Sequence, residues 1–224
     1  MYLFKLQNAI DVLQQIQKKH QHAAFANSFS LEDMVLTDMI SSHAPNIENF
    51  TLDTGRLHEE TYGLIAQVKA RYRTPIKIYF PDSNDLEPLL NQQGPNGFYE
   101  NRDWRKACCH VRKVLPLKRA LQGKSAWLTG LRQDQNVTRA QLRIMAWDEQ
   151  NAMDKYSPLF NWSSEDVWEY LRQYEVPYNI LHDKGFSSIG CAPCTRAVKL
   201  GEDPRAGRWW WENAEQKECG LHVA

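Results

Sequence analysis

The stretch 23-AAFANSFSLEDMVL-36 decides the fold that this chain of 224 residues is expected to adopt. Its first part, Ala23–Phe29, is a short apolar run that ends in small polar residues, as a buried strand does where it reaches a turn. The segment that follows, Leu31–Ile40, is typical of a helix, and Glu32 and Asp33 in its first turn suit the helix dipole. The stretch therefore predicts a strand, a short polar loop and a helix, which together begin a βαβ unit.

The same alternation of strand and helix patterns continues through the first two-thirds of the chain. Further strands are predicted at ENFTLD (48–53), PIKIYF (75–80) and SAWLTG (125–130), and RIMAWDE (143–149) is predicted as a fifth strand nearer the edge. One helix is predicted over 56–72, and another before the first strand, where apolar residues recur at helical spacing (Leu6, Ile10, Leu13, Ile16). Strands separated by such helices indicate an α/β fold with an open, mainly parallel, twisted sheet and helices on both faces.

One domain is expected over residues 1–224, with a nucleotide-binding α/β core over 1–176 and a loop-rich C-terminal segment over 177–224. Ligands of open parallel sheets bind beyond the carboxyl ends of the strands. Small or polar residues end the predicted strands and are therefore candidate ligand-binding residues: Ser28, Ser30, Asp53, Thr54, Gly55 and Gly130.

The charges of the chain are balanced, with 27 acidic and 27 basic residues. No overall field therefore draws the protein to nucleic acid or to a membrane, and a bound anion must be held by a local cluster of cations. No apolar run is long enough to span a bilayer, and the N-terminal residues lack the pattern of a secretory signal. A cytoplasmic protein is expected. The sequence does not determine its oligomeric state, and a homo-oligomer is one of the possibilities.

The five cysteines divide into four and one. The adjacent pair Cys108–Cys109 and the C-x-x-C motif of Cys191 and Cys194 indicate a metal centre, since soft sulfur ligands select zinc or iron–sulfur clusters. The side chains of adjacent residues diverge, which favours a cluster with separate iron atoms over one small ion. Cys219, near the C-terminus, is predicted to be a nucleophile, because an idle thiol on a chain end is liable to oxidation.

Several motifs resemble those of the assimilatory adenylylsulfate reductases, the cluster-containing branch of the phosphosulfate reductase family. They are KACCHVRKVLPLKRAL (106–121), SIGCAPCTRAVKLGEDPRAGRWWWE (188–212) and KECGLH (217–222), with SFSLEDMVL (28–36), TLDTGRLHEETY (51–62), WLTGLRQDQNVTRA (127–140) and VPYNILHDKGFSSIGCAPC (176–194). The resemblance covers nearly the whole chain. Its paired cysteines and C-x-x-C motif are specific to the cluster-bearing branch.

The resemblance implies the fold of the adenine-nucleotide α-hydrolases, with SFSLED as a modified phosphate loop. It implies one four-iron, four-sulfur (4Fe–4S) cluster per chain, held by Cys108, Cys109, Cys191 and Cys194. It also implies that Cys219 attacks the sulfur of adenylyl sulfate, expels AMP and becomes a cysteine S-sulfonate, from which thioredoxin or glutaredoxin frees sulfite. The expected enzyme is thus a thioredoxin-dependent adenylylsulfate reductase of sulfate assimilation and cysteine biosynthesis.

A thiolate that approaches a sulfonate is one anion approaching another, so the site must contain cations. The basic residues of the resembling motifs are the candidates: Lys113, Arg139, Arg205, Arg208 and His222. Ser28 and Ser30 are expected to bind a small anion, and Leu52, Asp53, Thr54 and Gly55 to flank the adenine and ribose.

Two further features concern the cluster region. Trp209–Trp211 is expected to form an apolar wall of the cluster site rather than a platform for stacking bases. Pro116 follows the cysteine pair within a predicted helix and is expected to kink it.

Three alternatives to this reading remain. An ATP-consuming ligase or tRNA thiolase on the same fold carries an S-G-G-x-D-S type of loop, which SFSLED does not match. A non-enzymatic zinc-binding or cluster-binding module would leave Cys219 and the polar strand ends unexplained. Within the reductases, the substrate could carry a 3′-phosphate (phosphoadenylyl sulfate); enzymes for that substrate typically lack the cluster cysteines, although some cluster-bearing members accept both.

Overall fold

The structure, a computed structural model, describes residues 1–72, 75–135 and 139–212 of the chain. Its helices are α1 (Tyr2–Lys19), α2 (Leu31–His43), α3 (Glu59–Tyr72), α4 (Ser83–Gln93), α5 (Arg102–Cys109), α6 (Leu115–Leu121) and α7 (Ser164–Gln173). Its strands are β1 (Ala23–Ala26), β2 (Glu48–Leu52), β3 (Ile76–Tyr79), β4 (Ala126–Leu128), β5 (Met145–Asp148) and β6 (Met153–Tyr156).

These strands form one sheet in the order β3-β2-β1-β4-β6-β5. β1 pairs in parallel with β2 and with β4, and β4 pairs in parallel with β6, whereas β5 and β6 are antiparallel. Phe25 in β1 lies opposite Asn49 on one side and Leu128 on the other. The predicted α/β class with a mainly parallel sheet is confirmed.

Position in the sheet explains the composition of the strands. β1 is central and apolar throughout, with its first three residues buried, as a strand covered on both faces must be. β5 lies at the edge, as predicted, and its first three residues are exposed. The sequence pattern does not predict β6, because its middle residues are the charged Asp154 and Lys155 and only Met153 and Tyr156 at its ends are buried.

Helix α1 packs one apolar side against the core. It buries Leu6, Ala9, Leu13 and Ile16. Ile10, which the spacing assigns to the same side, is only partly buried, whereas the smaller Ala9 is completely buried. A helix with one such stripe is held mainly by packing rather than by helix propensity.

The helical segment that carries the cysteine pair changes its winding. α5 ends at Cys109, a π-helical segment covers His110–Val114, and α6 begins at Leu115. The Leu115 N–H donates to the His110 carbonyl, five residues back. Pro116 therefore lies in the first turn of α6, where its missing N–H does least harm. The predicted disruption of this helix takes the form of a π turn directly after the cysteines.

Contacts within the chain define two compact units. The first comprises the described parts of Met1–Thr51, Gly63–Lys77 and Leu121–Asn179, and the second comprises Leu52–Tyr62, Ile78–Ala120 and the described residues from Ile180 onward. Of the helices that can be described, none combines the length and the apolar character needed to cross a bilayer.

Candidate active site

In the first unit, the loop between β1 and α2 is closed by hydrogen bonds to a carboxylate of its own. Ser30 is the N-cap of α2, and its hydroxyl accepts from the Asp33 N–H at 3.4 Å. Ser28 donates both its backbone N–H and its hydroxyl to Asp33 Oδ2, each at 2.6 Å. Phe29, with a φ of 60°, donates its N–H to the Asn27 side chain at 2.8 Å. This uncommon backbone conformation is held in place by the surrounding bonds.

Gly130, just after β4, allows a close approach to the start of α2. A Cβ at this position would lie 2.3 Å from Asp33 Oδ1 and 2.9 Å from the Glu32 Cβ, which leaves no room for a side chain. Three of the predicted strand-end residues, Ser28, Ser30 and Gly130, therefore lie together around Asp33.

Sequence reasoning missed the partner of Glu32. Arg132 donates its Nε to Glu32 Oε1 at 2.9 Å, and its Nη2 lies 2.8 Å from the same oxygen. The guanidinium also donates to the Trp162 carbonyl at 3.0 Å and to the Ser164 hydroxyl at 3.2 Å. Both charged side chains are buried, so each depends on the other for compensation. Glu32 thus forms a buried ion pair in addition to suiting the helix dipole.

Arg139, a predicted cation of the site, is joined to this region by Gln135. Its Nη1 donates to Gln135 Oε1, the oxygen that also accepts from the Arg132 N–H at 3.1 Å. Gln135 Nε2 in turn donates to the Gly130 carbonyl at 3.5 Å. The Gln135 side chain therefore links Arg139 to the loop that follows β4.

The burial of Asp33 predicts a specific dependence of stability on pH. Burial raises the pKa of its carboxyl to about 6, against the opposing effect of the hydrogen bonds from Ser28. Between about pH 4 and pH 6 the unfolded chain therefore releases a proton that the folded protein keeps. The free energy of unfolding is expected to fall by about 3 kcal/mol from this group as the pH rises through that window, and to be independent of it above.

Asp33→Asn tests this expectation through urea unfolding curves measured from pH 4 to pH 7. The variant should lose about 3 kcal/mol less stability than the unmodified protein across the window, because an amide does not titrate there. Parallel stability curves for the two proteins would contradict the assigned pKa. Asp11→Asn, at an exposed aspartate of α1, is the matched control for the same substitution away from this loop.

In the second unit, the four predicted metal ligands line one cavity. Its volume is about 380 Å³, the open mouth included. Its lining residues are Arg56, Phe98, Arg105, Cys108, Cys109, Arg112, Lys113, Cys191, Pro193, Cys194, Arg208 and Trp209. No disulfide joins any two of these four cysteines.

Local structure brings the thiols to the cavity from two segments. Cys108 and Cys109 are the last residues of α5. Cys191 is the N-cap of the 3-10 turn Ala192–Cys194, so the C-x-x-C motif forms a single turn. A hydrogen bond from the Ala192 N–H to the Arg56 carbonyl, at 2.8 Å, holds this turn in place.

The lining of the cavity is basic, and among the described residues no acidic side chain belongs to it. Arg112 Nη1 donates to the Thr54 carbonyl at 2.6 Å, and Arg208 Nη1 donates to the Ile189 carbonyl at 3.2 Å. The Nε atoms of Arg112 and Arg208 are buried, and neither has a hydrogen-bond partner among the residues that the structure describes. Gly190 permits this packing, since a Cβ there would lie 2.5 Å from Arg208 Nη2. Buried guanidinium groups of this kind indicate a site for an anionic group.

The thiols differ in acidity. Burial tends to raise the pKa of Cys191, but the charge of Lys113 and the contact of the thiol with the Thr54 hydroxyl, at 3.2 Å, bring the pKa below its usual value. Burial raises the pKa of Cys194 to about 12 and also raises that of Cys108. Cys191 is therefore the more acidic member of the C-x-x-C motif.

Arg105 connects the cavity with the last described residue. It donates its Nε and Nη2 to the two oxygens of Glu212, at 2.5 Å and 2.9 Å. Its guanidinium also lies over the Trp209 ring, 4.5 Å from the ring centroid. This buried bidentate pair fixes Glu212, the residue that precedes the undescribed C-terminal residues.

The remaining predictions for the second unit have mixed outcomes. Lys113 and Arg208 line the cavity, whereas Arg205, which is partly exposed, does not belong to its lining. Asp53 Oδ1 accepts from the Tyr62 hydroxyl and from the Gly55 N–H, both at 2.8 Å. Leu52, next to this turn, is partly buried. Cys219 and His222 lie outside the described residues.

The tryptophan triplet is divided. Trp209 is buried and lines the cavity, with Arg105 on its ring and the Arg208 guanidinium 4.8 Å from its centroid. Trp211 packs, partly buried, against the Phe98 cluster, but Trp210 is 47% exposed. The predicted apolar wall is therefore formed by Trp209, with support from Trp211.

Among the described residues, no three His, Cys, Asp or Glu side chains lie close enough together to form a site for one metal ion. The cysteines do, however, share a cavity that is lined by cations and contains buried donors without acceptors. Four thiols in a basic, largely apolar cavity fit an anionic iron–sulfur group, to which they would bind as thiolates.

The fold and these two regions define a class: an α/β protein with a mainly parallel sheet, a polar loop after its central strand β1 and a cavity lined by four thiols. The chain belongs to the phosphoadenosine phosphosulfate reductase family, since the model of that family's domain matches residues 22–197. Its members are oxidoreductases that act on sulfur groups, so the predicted enzyme class and family are confirmed.

Relatives of known name agree with this assignment. The chain is 52% identical to an adenosine 5′-phosphosulfate reductase of Allochromatium vinosum, over 96% of this chain and 84% of that protein. It is 48% identical to one of Burkholderia cepacia, over 98% of this chain and 88% of that protein. The crystal structure of a phosphoadenylyl-sulfate reductase from Candida auris is similar with a TM-score of 0.73 and 29% identity, over 85% of this chain and 90% of that one. The Candida glabrata FMN adenylyltransferase shares the fold alone, at 15% identity and a TM-score of 0.61.

Proposed function

We propose that this protein reduces adenylyl sulfate to sulfite and AMP, in the cytoplasmic assimilation of sulfate that leads to cysteine. The observation that carries the proposal is the meeting of four thiols and several cations in one cavity, in a chain whose relatives bear the name adenosine 5′-phosphosulfate reductase. The cytoplasm suits the proposal because thiols are kept reduced there.

Cys108, Cys109, Cys191 and Cys194 would hold one 4Fe–4S cluster. The fit rests on three properties of the cavity: four soft thiol donors, a basic lining without carboxylates among the described residues, and the buried Nε atoms of Arg112 and Arg208. When bound, the cluster supplies concentrated negative charge that these cations neutralise. The cluster need not gain or lose electrons overall, because the thiol partner provides the two electrons of the net reaction.

Cys219 is the proposed nucleophile. Its thiolate forms a bond to the sulfur of the substrate's sulfonate while the bond from that sulfur to the phosphate oxygen breaks, and AMP leaves. A thiol of thioredoxin or glutaredoxin then attacks Cys219, sulfite departs with the bonding electron pair, and the second thiol of the partner resolves the mixed disulfide. Sulfur is thereby reduced by two electrons and the dithiol is oxidised to a disulfide.

Cations are needed because both reacting groups are anions. We assign this clamp to Lys113, Arg139, Arg205, Arg208 and His222. One charge pair at 4 Å is worth about 1 kcal/mol in bulk water and about 4 kcal/mol at an effective dielectric constant of 20. The clamp therefore requires that water be excluded from the site during the transfer.

The loop between β1 and α2 supports a substrate without a triphosphate. Both donors of Ser28 are already engaged by Asp33, so a carboxylate occupies the place where a phosphate loop offers N–H groups. We assign Ser28, Ser30 and Gly130 to the small anionic group of the substrate, which would replace Asp33 as the acceptor of the Ser28 donors, and Leu52–Gly55 to its adenine and ribose.

Incubation with each nucleotide, read by intact mass, tests the proposal. Without reductant, adenylyl sulfate should add one sulfonate to the protein, and a subsequent dithiol should remove it as sulfite. Phosphoadenylyl sulfate, the substrate named for the Candida auris relative, should react more slowly. A faster reaction with phosphoadenylyl sulfate would reverse the assigned preference, and no adduct with either nucleotide would contradict the S-sulfonate mechanism.

A further inference from the structure

The outer edge of β5 is exposed and apolar. Met145 is 40% exposed and Trp147 is 54% exposed, and Ala146 between them is exposed as well. β5 is the last strand in the sheet order, so its second edge has no ladder partner among the described residues. Natural proteins usually protect such edges with proline, lysine or a bulge, and the four residues of β5 include neither proline nor lysine.

The hydrogen-bond pattern identifies the residues whose backbone faces outward. Ser157 donates its N–H to the Ile144 carbonyl at 2.9 Å, so this pair is hydrogen-bonded across β5 and β6. Because hydrogen-bonded and non-hydrogen-bonded pairs alternate in antiparallel strands, Ala146 also faces β6 with its backbone. Met145 and Trp147 therefore direct their N–H and C=O groups to the open edge.

We propose that β5 pairs with β5 of a second copy of this chain, antiparallel and about a two-fold axis at Ala146. Met145 then lies opposite Trp147 of the second copy, and Trp147 opposite its Met145. The same register places Arg143, just before β5, opposite Glu149, just after it, at both ends of the pairing. Met145 and Trp147 have the parity that shares one side of the strand, and the charge pairs flank these apolar pairs at the two ends of the pairing.

The charges at the two ends of the pairing favour this register over the two adjacent registers. A shift by one step in one direction would place Met145 opposite itself and Arg143 opposite Trp147, and a shift in the other direction would place Trp147 opposite itself and Met145 opposite Glu149. Only the pairing centred on Ala146 joins opposite charges, and it joins two such pairs by symmetry. The edge is thus complementary to itself, which is the property of an isologous two-fold interface.

Cross-linking tests the register. In a Cys219→Ser background, Ala146→Cys places two thiols opposite each other at a non-hydrogen-bonded position, where the short Cα separation suits a disulfide. Mild oxidation of the anaerobically prepared protein should convert most of it to a covalent dimer linked through residue 146. Met145→Cys and Trp147→Cys are matched controls, since each thiol then lies opposite a different residue and should cross-link several-fold less. Cross-linking that is greater at 145 or 147 than at 146 would overturn the register.

Sedimentation of charge variants tests the interface without added cysteines. Arg143→Glu and Glu149→Arg should each weaken dimer formation at least tenfold, because each creates two like-charge pairs. The double variant R143E/E149R should recover the dimer, since it restores both pairs in the opposite sense. A protein that stays monomeric at all concentrations, or a dimer that the single variants do not weaken, would overturn the proposal. Circular dichroism on the same samples establishes that the exposed substitutions leave the fold intact.

Discussion

Cys219→Ser is expected to abolish the formation of sulfite from adenylyl sulfate, with a loss of at least about a thousandfold, and to leave the iron and sulfide content unchanged. A serine hydroxyl is not ionised near neutral pH and is a poor nucleophile toward a sulfonate, whereas a thiolate is available and reactive. The cluster should be unaffected, because four other thiols line the cavity that we assign to it. Single-turnover assays with labelled adenylyl sulfate, together with iron and sulfide analysis, measure both quantities.

The two readouts separate the nucleophile from the cluster ligands. Sulfite formation that survives in Cys219→Ser would exclude this residue as the nucleophile. Loss of iron in the same variant would instead place Cys219 among the metal ligands, and the division of the cysteines into four and one would be wrong.

Cys191→Ser is expected to give the complementary result, a colourless protein with little iron and an activity at least about a hundredfold lower. Cys191 is buried, contacts the Thr54 hydroxyl at 3.2 Å and has a pKa below its usual value, against the effect of burial and chiefly because of Lys113. A serine alkoxide is a much weaker ligand for iron than this thiolate. The visible absorption of protein purified without oxygen, and its iron and sulfide content, provide the measurement.

Cys219→Ser is the matched control, because it removes a thiol from the same protein without removing a proposed ligand. A Cys191→Ser protein that keeps its full iron content would contradict the role of this residue. An unmodified protein that is colourless and holds zinc would contradict the cluster itself, and Cys191→Ser would then be expected to lose zinc.

Much of the fold could be predicted because its central strands can be recognised from short stretches of sequence. β1 and β4 are short apolar runs between helical patterns, and burial on both faces leaves little choice of residue type. β2 and β3 alternate with helical patterns in the same way. β6 could not be predicted in this way, since Asp154 and Lys155 interrupt its apolar character. Its strand conformation depends on pairing with β4 and β5, which is a property of the assembled sheet.

The site was predictable to the extent that its chemistry is local in the sequence. Lys113 and the four cysteines of the paired and C-x-x-C motifs belong to short motifs, and these residues do line one cavity. The ion pair of Glu32 and Arg132 joins residues 100 positions apart, so neither side chain indicates the other in the sequence. Arg105, a cavity residue that also binds Glu212, was missed for the same reason.

Asp33 shows a different limit. A carboxylate in the first turn of a helix is ordinarily explained by the helix dipole, and that explanation remains correct for its position. Its burial and its two bonds from Ser28 depend on the close approach of Gly130, which follows a different strand. Local patterns indicate the position of such a residue in its helix, but tertiary contacts determine its protonation.

The π-helical winding of His110–Val114 has a consequence for how this protein can vary in length. In a regular α-helix, Lys113 would be rotated by about 140° from Cys108, whereas a π turn absorbs one extra residue and reduces this angle to about 40°. Deleting any one residue of that segment would restore regular winding and keep Lys113 about 40° from Cys108, because four residues of a regular α-helix turn by about 400°; inserting one residue would instead turn every later residue of the helix by about 100° relative to the thiols. Homologous chains should therefore tolerate the loss of one residue here more readily than the gain of one, because only the gain changes which side chains face the cavity.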